Sequence, residues 1–179
     1  MKIIVQKFGG TSTRSIREHD KGNKVVAVVS AMGRYDDPYA TDTLLSIVHT
    51  DQLTDEEIDR LTSIGETIST LVVKSELAKK GYVVDTVTTV EGKHILDKLK
   101  NADIVICPGF QGYSQNGKIT TLGRGGSDLS AVAIGVAIDA NEVEIYSDVN
   151  GIYTADPRIV PDAMKLNYIS YSEMLELSK

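Results

Sequence analysis

Lys2-Ile3-Ile4-Val5-Gln6-Lys7-Phe8-Gly9-Gly10-Thr11-Ser12 opens the chain with a short β-branched run that breaks at once into glycines and hydroxyls. A run of this kind, too short for a membrane span and bounded by glycine, predicts a strand buried on both faces. The pattern recurs at 25–29, 82–87, 104–107 and 143–146. Segments with helical spacing lie between these runs. Such alternation predicts an α/β protein with a mainly parallel sheet and helices packed on its faces.

Several helix ends are written in the sequence. Thr54-Asp55-Glu56-Glu57 fits a capping box, in which the Thr54 hydroxyl takes the Glu57 amide and Glu57 reaches back. Ile58, Leu61 and Ile64 follow on one face. Gly65 interrupts, and Ile68, Leu71 and Val72 resume the apolar pattern. Lys79 and Lys80 before Gly81 predict a last turn closed by a left-handed residue. Ser127 is expected to cap a helix over the apolar run 129–140, with Val132, Ile134, Val136 and Ile138 in the core.

Composition excludes several function classes. Of 179 residues, 41% are apolar and 25% charged, enough for a globule to bury roughly 70% of its unfolded surface. The net charge of −6 leaves no basic surplus to neutralise a nucleic-acid backbone. No apolar run approaches the about 20 residues of a membrane span, and the start does not read as a signal peptide. The expectation is a cytoplasmic protein with neither nucleic acid nor membrane as partner. One cysteine, Cys107, forbids an internal disulfide, and no Cys/His spacing suggests a metal site. Cys107 is expected to be inert core. His19, His49 and His94 lie in polar stretches without a nucleophile beside them and are expected at the surface.

The chemistry gathers in loops that follow strands. Lys7-Phe8-Gly9-Gly10-Thr11-Ser12 can bring amides and a mobile cation to an anion, although the lysine precedes the glycines and no P-loop is present. Ser30-Ala31-Met32-Gly33 is a second small-residue loop at a strand's carboxyl end, where open α/β sheets bind ligands. Thr120-Thr121-Leu122-Gly123-Arg124-Gly125-Gly126-Ser127-Asp128 is the most informative. Its helix start offers amides, Arg124 can hold a carboxylate through two parallel hydrogen bonds, and Asp128 can hold Lys7 charged and oriented. Ser147 and Asp148 with Tyr153, Asp156 and Arg158 offer an aromatic face, carboxylates and a guanidinium. Glu66 reads in two ways, as compensation of a helix dipole or as partner of a substrate ammonium.

In this order the segments 7–12, 28–33, 65–69, 109–112, 120–128, 147–158 and 169–177 resemble the aspartokinases of the amino acid kinase family. Asp37-Pro38-Tyr39-Ala40-Thr41-Asp42 is most similar to the monofunctional bacillus-type enzymes of the diaminopimelate and lysine route. The resemblance implies a three-layer αβα sandwich. It implies phosphoryl transfer from ATP, with Mg²⁺ held mainly through its phosphates, to the side-chain carboxylate of L-aspartate, and a homodimer. Carried over by position, Lys7 and Asp128 would be catalytic. Thr41, Glu66, Arg124 and Ser127 would hold aspartate. Gly9, Gly10, Ser12, Ser30 and Gly33 would lie along the phosphates. Ser147, Asp148, Tyr153, Asp156 and Arg158 would border the nucleotide.

The chain departs from that family in three places. Residues 13–24 are short, residues 88–101 lack a substrate-loop segment, and residue 179 precedes the family's second lysine motif. The reading is therefore a shortened catalytic domain over 1–179 without ACT regulatory domains. Two alternatives stand beside aspartate phosphorylation: a domain of this fold that binds without catalysing, and another carboxylate kinase of the family.

Overall fold

The computed structural model describes residues 1–9, 22–88, 91–123, 125–147 and 151–177. Its strands are β1 (Ile3–Phe8), β2 (Lys24–Val29), β3 (Val84–Thr86), β4 (Ile104–Pro108), β5 (Gln111–Tyr113), β6 (Ile119–Thr121) and β7 (Glu142–Tyr146). Its α-helices are α1 (Thr41–Ser46), α2 (Asp55–Thr62), α3 (Ile64–Lys79), α4 (Gly92–Leu99), α5 (Gly126–Ala137) and α6 (Tyr171–Leu177).

The main sheet runs β3-β4-β2-β1-β7 and every pairing in it is parallel. Val5 lies opposite Val26 on one side and Val143 on the other. Because side chains alternate across a strand, β2 splits its valines between two cores. Val26 and Val28 join Val5, Val105, Ile95 and Ile134 under α4 and α5. Val25, Ala27 and Val29 join Phe8, Ile106, Val73 and Leu77 under α3. The result is the expected three-layer arrangement. Each valine so buried contributes about 1.5 kcal/mol or more. β5 and β6 form a separate antiparallel hairpin.

Residues Met1–Ser147 form one unit and Asp148–Lys179 another. In the second, Tyr153 bridges antiparallel to Lys165. There α6 starts with a reciprocal pair: the Ser170 amide donates to Glu173, and the Glu173 amide donates to Ser170 Oγ.

Local chemistry is followed closely at several points. Thr54 and Glu57 form both arms of the capping box on α2. Gly81 takes φ 93° after α3, as the left-handed closure requires. Three expectations are corrected. The cap of α5 is Gly125 at φ 71°, and no side chain caps that helix, so Ser127 does not serve there. Ser127 instead lies inside the first turn, packed against the Gly109 turn. Val132 and Val136 face outward, at 49% and 79% exposure, while Ile134 and Ile138 are buried. Residues two apart alternate on a strand but spread round a helix, so the four could not all face the sheet. Finally, β3 and β7 are edge strands and only partly buried.

Candidate active site

Lys7 is the next-to-last residue of β1, on the face that meets α5. Its Nζ lies 2.7 Å from Asp128 Oδ1, with the lysine side chain only 11% exposed and the aspartate 51%. Asp128 stands in the first turn of α5, whose dipole favours an anion there. The amides of Gly126 and Asp128 donate to the carbonyls of Gly123 and Gly125, so the loop itself uses part of the expected amide array.

Glycines make this approach possible. A Cβ on Gly109 would stand 2.9 Å from Ser127 Oγ and 3.0 Å from the Val29 carbonyl. One on Gly126 would stand 2.9 Å from the Phe110 ring. Phe110 itself has φ 64°, a conformation costly for a bulky residue and found where surrounding packing imposes it.

Glu66 lies in the first turn of α3 and is 2% exposed. Its Oε1 accepts the Ala31 amide at 3.1 Å. Its Oε2 is buried with no hydrogen-bond partner. Burial raises its pKa to about 7, and the Ala31 amide only partly opposes this. Dipole compensation needs no buried oxygen, so the orphan atom favours a ligand cation.

These groups line one cavity of about 470 Å³ at the carboxyl ends of β1, β2 and β4. Lys7, Ser30, Thr41, Glu66, Ser127 and Asp128 were expected there and all line it. Gly123 and Gly125, which flank Arg124, line it too. Ala31, Asp42 and Phe110 were not singled out as site residues. Ala31 had a signal, since it sits inside the small-residue loop. Asp42 and Phe110 join only through tertiary placement. The described lining thus carries one lysine, paired with Asp128, together with the carboxylates of Asp42 and Glu66.

Gly9 closes β1, its amide donating to the Tyr146 carbonyl at 3.3 Å. Gly33 turns at φ 90° against Asp37. Neither lines the cavity. Gly10, Ser12, Arg124 and Asp148 lie outside the described residues, as does His19. Ser147 is exposed after β7. Tyr153, Asp156 and Arg158 belong to the second unit. There Asp156 accepts from the Arg158 amide, Nε and a terminal guanidinium nitrogen, the last at 2.7 Å. Those hydrogen bonds hold its pKa at about 2. His49 and His94 are exposed, and Cys107 is buried with its thiol pKa pushed up by burial.

The sequence profile of the amino acid kinase family matches residues 2–179. Aspartokinase 1 of Bacillus subtilis is 42% identical over 99% of the chain and 52% of the relative. Aspartate kinase from Synechocystis superposes with a TM-score of 0.82 at 37% identity, over 98% of this chain and 33% of that one. E. coli aspartokinase III, crystallised with aspartate and ADP, superposes at 0.78 over 99% of this chain and 56% of that one; its 23% identity speaks for the fold alone. The chain spans about half the length of the curated relatives it matches.

Proposed function

We propose, because this chain belongs to the amino acid kinase family, that it transfers a phosphoryl group from MgATP to the side-chain carboxylate of L-aspartate. The product is 4-phospho-L-aspartate, and the setting is cytoplasmic amino-acid biosynthesis, by the diaminopimelate route to lysine. The observation that carries this reading is one cavity lined both by the Lys7–Asp128 pair and by Glu66, whose Oε2 is buried without a partner.

A carboxylate nucleophile is already ionised at neutral pH, so no general base is needed. The obstacle is repulsion between that anion and the triphosphate. Catalysis then consists of positioning and of cancelling charge as the phosphoryl group moves. Lys7, oriented by Asp128, is placed to meet the transferring group. Glu66 takes the substrate ammonium, and Arg124 takes a carboxylate. Thr41, Ser127 and Ser30 supply hydroxyls around them. Gly9, Gly10, Ser12 and Gly33 are assigned to the phosphates. Ser147, Asp148, Tyr153, Asp156 and Arg158 are assigned to the nucleotide.

Among the described residues, no group of three or more His, Cys, Asp or Glu side chains is placed to hold a metal ion. The reading has Mg²⁺ arrive on the nucleotide phosphates, as is usual for this ion. A homodimer is part of the proposal. Ile64, Leu71 and Val72 are exposed on α3 at the spacing i, i+7 and i+8, which puts an uncovered apolar stripe on that helix. Sedimentation of the protein with and without Leu71→Asp tests it.

The deciding assay measures aspartate-dependent ADP release with MgATP, with the acyl phosphate trapped as hydroxamate. Turnover with aspartate, and not with glutamate or acetylglutamate, supports the reading. Binding of aspartate and nucleotide without turnover selects the binding-domain alternative, and turnover with another acid selects the sister kinases.

A further inference from the structure

We infer that the β5–β6 hairpin is a gauge of substrate length, and that Gln111 and Thr121 are positioning residues acting through Glu66 and the glycine loop. The inference rests on the aspartate reading of the site and adds which part of the fold selects the length of the acid.

Gln111 opens β5 and is 3% exposed. Its Nε2 donates to the Ser63 carbonyl at 3.0 Å. Ser63 is the hinge residue between two helices, ending α2 and beginning α3. The same carbonyl accepts the Thr67 amide and hydroxyl, at 3.2 and 3.1 Å, so Gln111 is tied to the first turn of α3. Glu66 stands in that turn. A buried amide bonded to backbone across 48 residues fixes register more than it adds stability.

The hairpin's other strand makes a second tie. Thr121 Oγ1 donates to Asp59 Oδ1 at 2.5 Å, and Lys118 pairs with Glu56 at 2.5 Å, both on α2. One residue beyond Thr121, the Leu122 amide closes the hairpin base on the Phe110 carbonyl at 2.9 Å. Gly123 follows at once and enters the cavity wall. One hydrogen-bonded strip thus runs from Gly123 to the helical turn bearing Glu66. The separation of those two walls sets how many carbons fit between an ammonium and the far carboxylate. A fitted wall rejects one extra methylene by about 10–200-fold.

The test is calorimetric titration of the protein with L-aspartate and L-glutamate, in wild type, Gln111→Met, Thr121→Val and the double variant. Methionine keeps the volume of glutamine without its donor. Each single variant is expected to narrow the aspartate-over-glutamate preference by about fivefold or more, the scale of one hydrogen bond. Thr121→Ser restores it, and ATP affinity stays within about twofold. A purely structural role lowers melting temperature while leaving the preference intact; that outcome overturns the gauge. Thr121 is only partly buried, so its variants carry the test if Gln111→Met fails to fold. A wild-type protein that binds ATP but neither amino acid overturns the aspartate reading and the gauge with it. One that prefers aspartate while both variants keep its preference overturns the gauge alone.

Discussion

Lys7 Nζ and Asp128 Oδ1 lie 2.7 Å apart, the lysine on β1, inside the sheet between β2 and β7, and the aspartate at a helix start 121 residues later. The lysine side chain is mostly covered, so its charge is held by one carboxylate and aimed at the cavity. Lys7→Ala is expected to lower turnover by about 10²–10³, the cost of removing one preorganised charge at the reacting group. Nucleotide affinity should change far less. Asp128→Asn keeps an acceptor and loses the charge, so about tenfold is expected, on the scale of one charge-assisted hydrogen bond. Steady-state kinetics against ATP separates the two effects. Equal losses in turnover and affinity would reduce Lys7 to a binding group.

Glu66 sets a pH dependence. Its pKa in the fold is about 7, above its ordinary value of 4.5, because burial penalises the charged form. A raised carboxyl binds more protons folded than unfolded. Its contribution to stability is therefore full below pH about 4.5 and is lost as pH rises through about 7, on the order of 3 kcal/mol. Urea unfolding at pH 5 and pH 8 should show this loss in wild type and much less of it in Glu66→Gln. Ligand binding has the opposite slope. An ammonium needs the carboxylate, so aspartate affinity should rise between pH 6 and 8 in wild type and stay flat in the variant.

Gly65 makes the approach of Glu66 to the Ala31 loop possible. A Cβ at 65 would stand 2.7 Å from Ala31 Cβ and 2.8 Å from the Tyr39 carbonyl. Neither is the end of a flexible chain, so Gly65→Ala must push α3 away from that loop. Thermal or urea unfolding should report a loss of about 1–3 kcal/mol. Since the Ala31 amide holds Glu66, aspartate binding should weaken more than ATP binding does. Equal weakening would show that the helix moves as a whole without disturbing the carboxylate.

The readable parts of this protein are those written in neighbouring residues. Thr54 and Glu57 cap α2 because both partners lie within four residues. β2 is legible because Val25, Val26, Val28 and Val29 suit a strand with helices on both faces. The pairing of Lys7 with Asp128 followed from loops at strand ends, which converge wherever a sheet is parallel. What could not be read depends on distant partners. Gly125 takes the cap from Ser127 because the Gly109 turn packs on that serine. Phe110 adopts its costly φ where the α5 start crowds it. The tie from Gln111 to Ser63 is invisible along the chain, since glutamine in a short polar strand looks like a surface residue.

Arg124 lies outside the described residues, yet Gly123 and Gly125 on either side of it line the cavity, with φ 73° and 71°. Those left-handed positions suit glycine and turn the chain tightly on both sides of the arginine. A guanidinium presents paired donors in a plane that matches both oxygens of a carboxylate; an ammonium offers a single point of charge. Arg124→Lys therefore keeps the charge and loses the fork. The aspartate KM is expected to rise by about tenfold or more, the scale of one charge-assisted hydrogen bond of 1.5–3 kcal/mol. The ATP KM should stay within about twofold, because the nucleotide is assigned to other loops. An aspartate KM equal to wild type would remove Arg124 from the substrate site and leave Glu66 as the sole charged anchor for the acid.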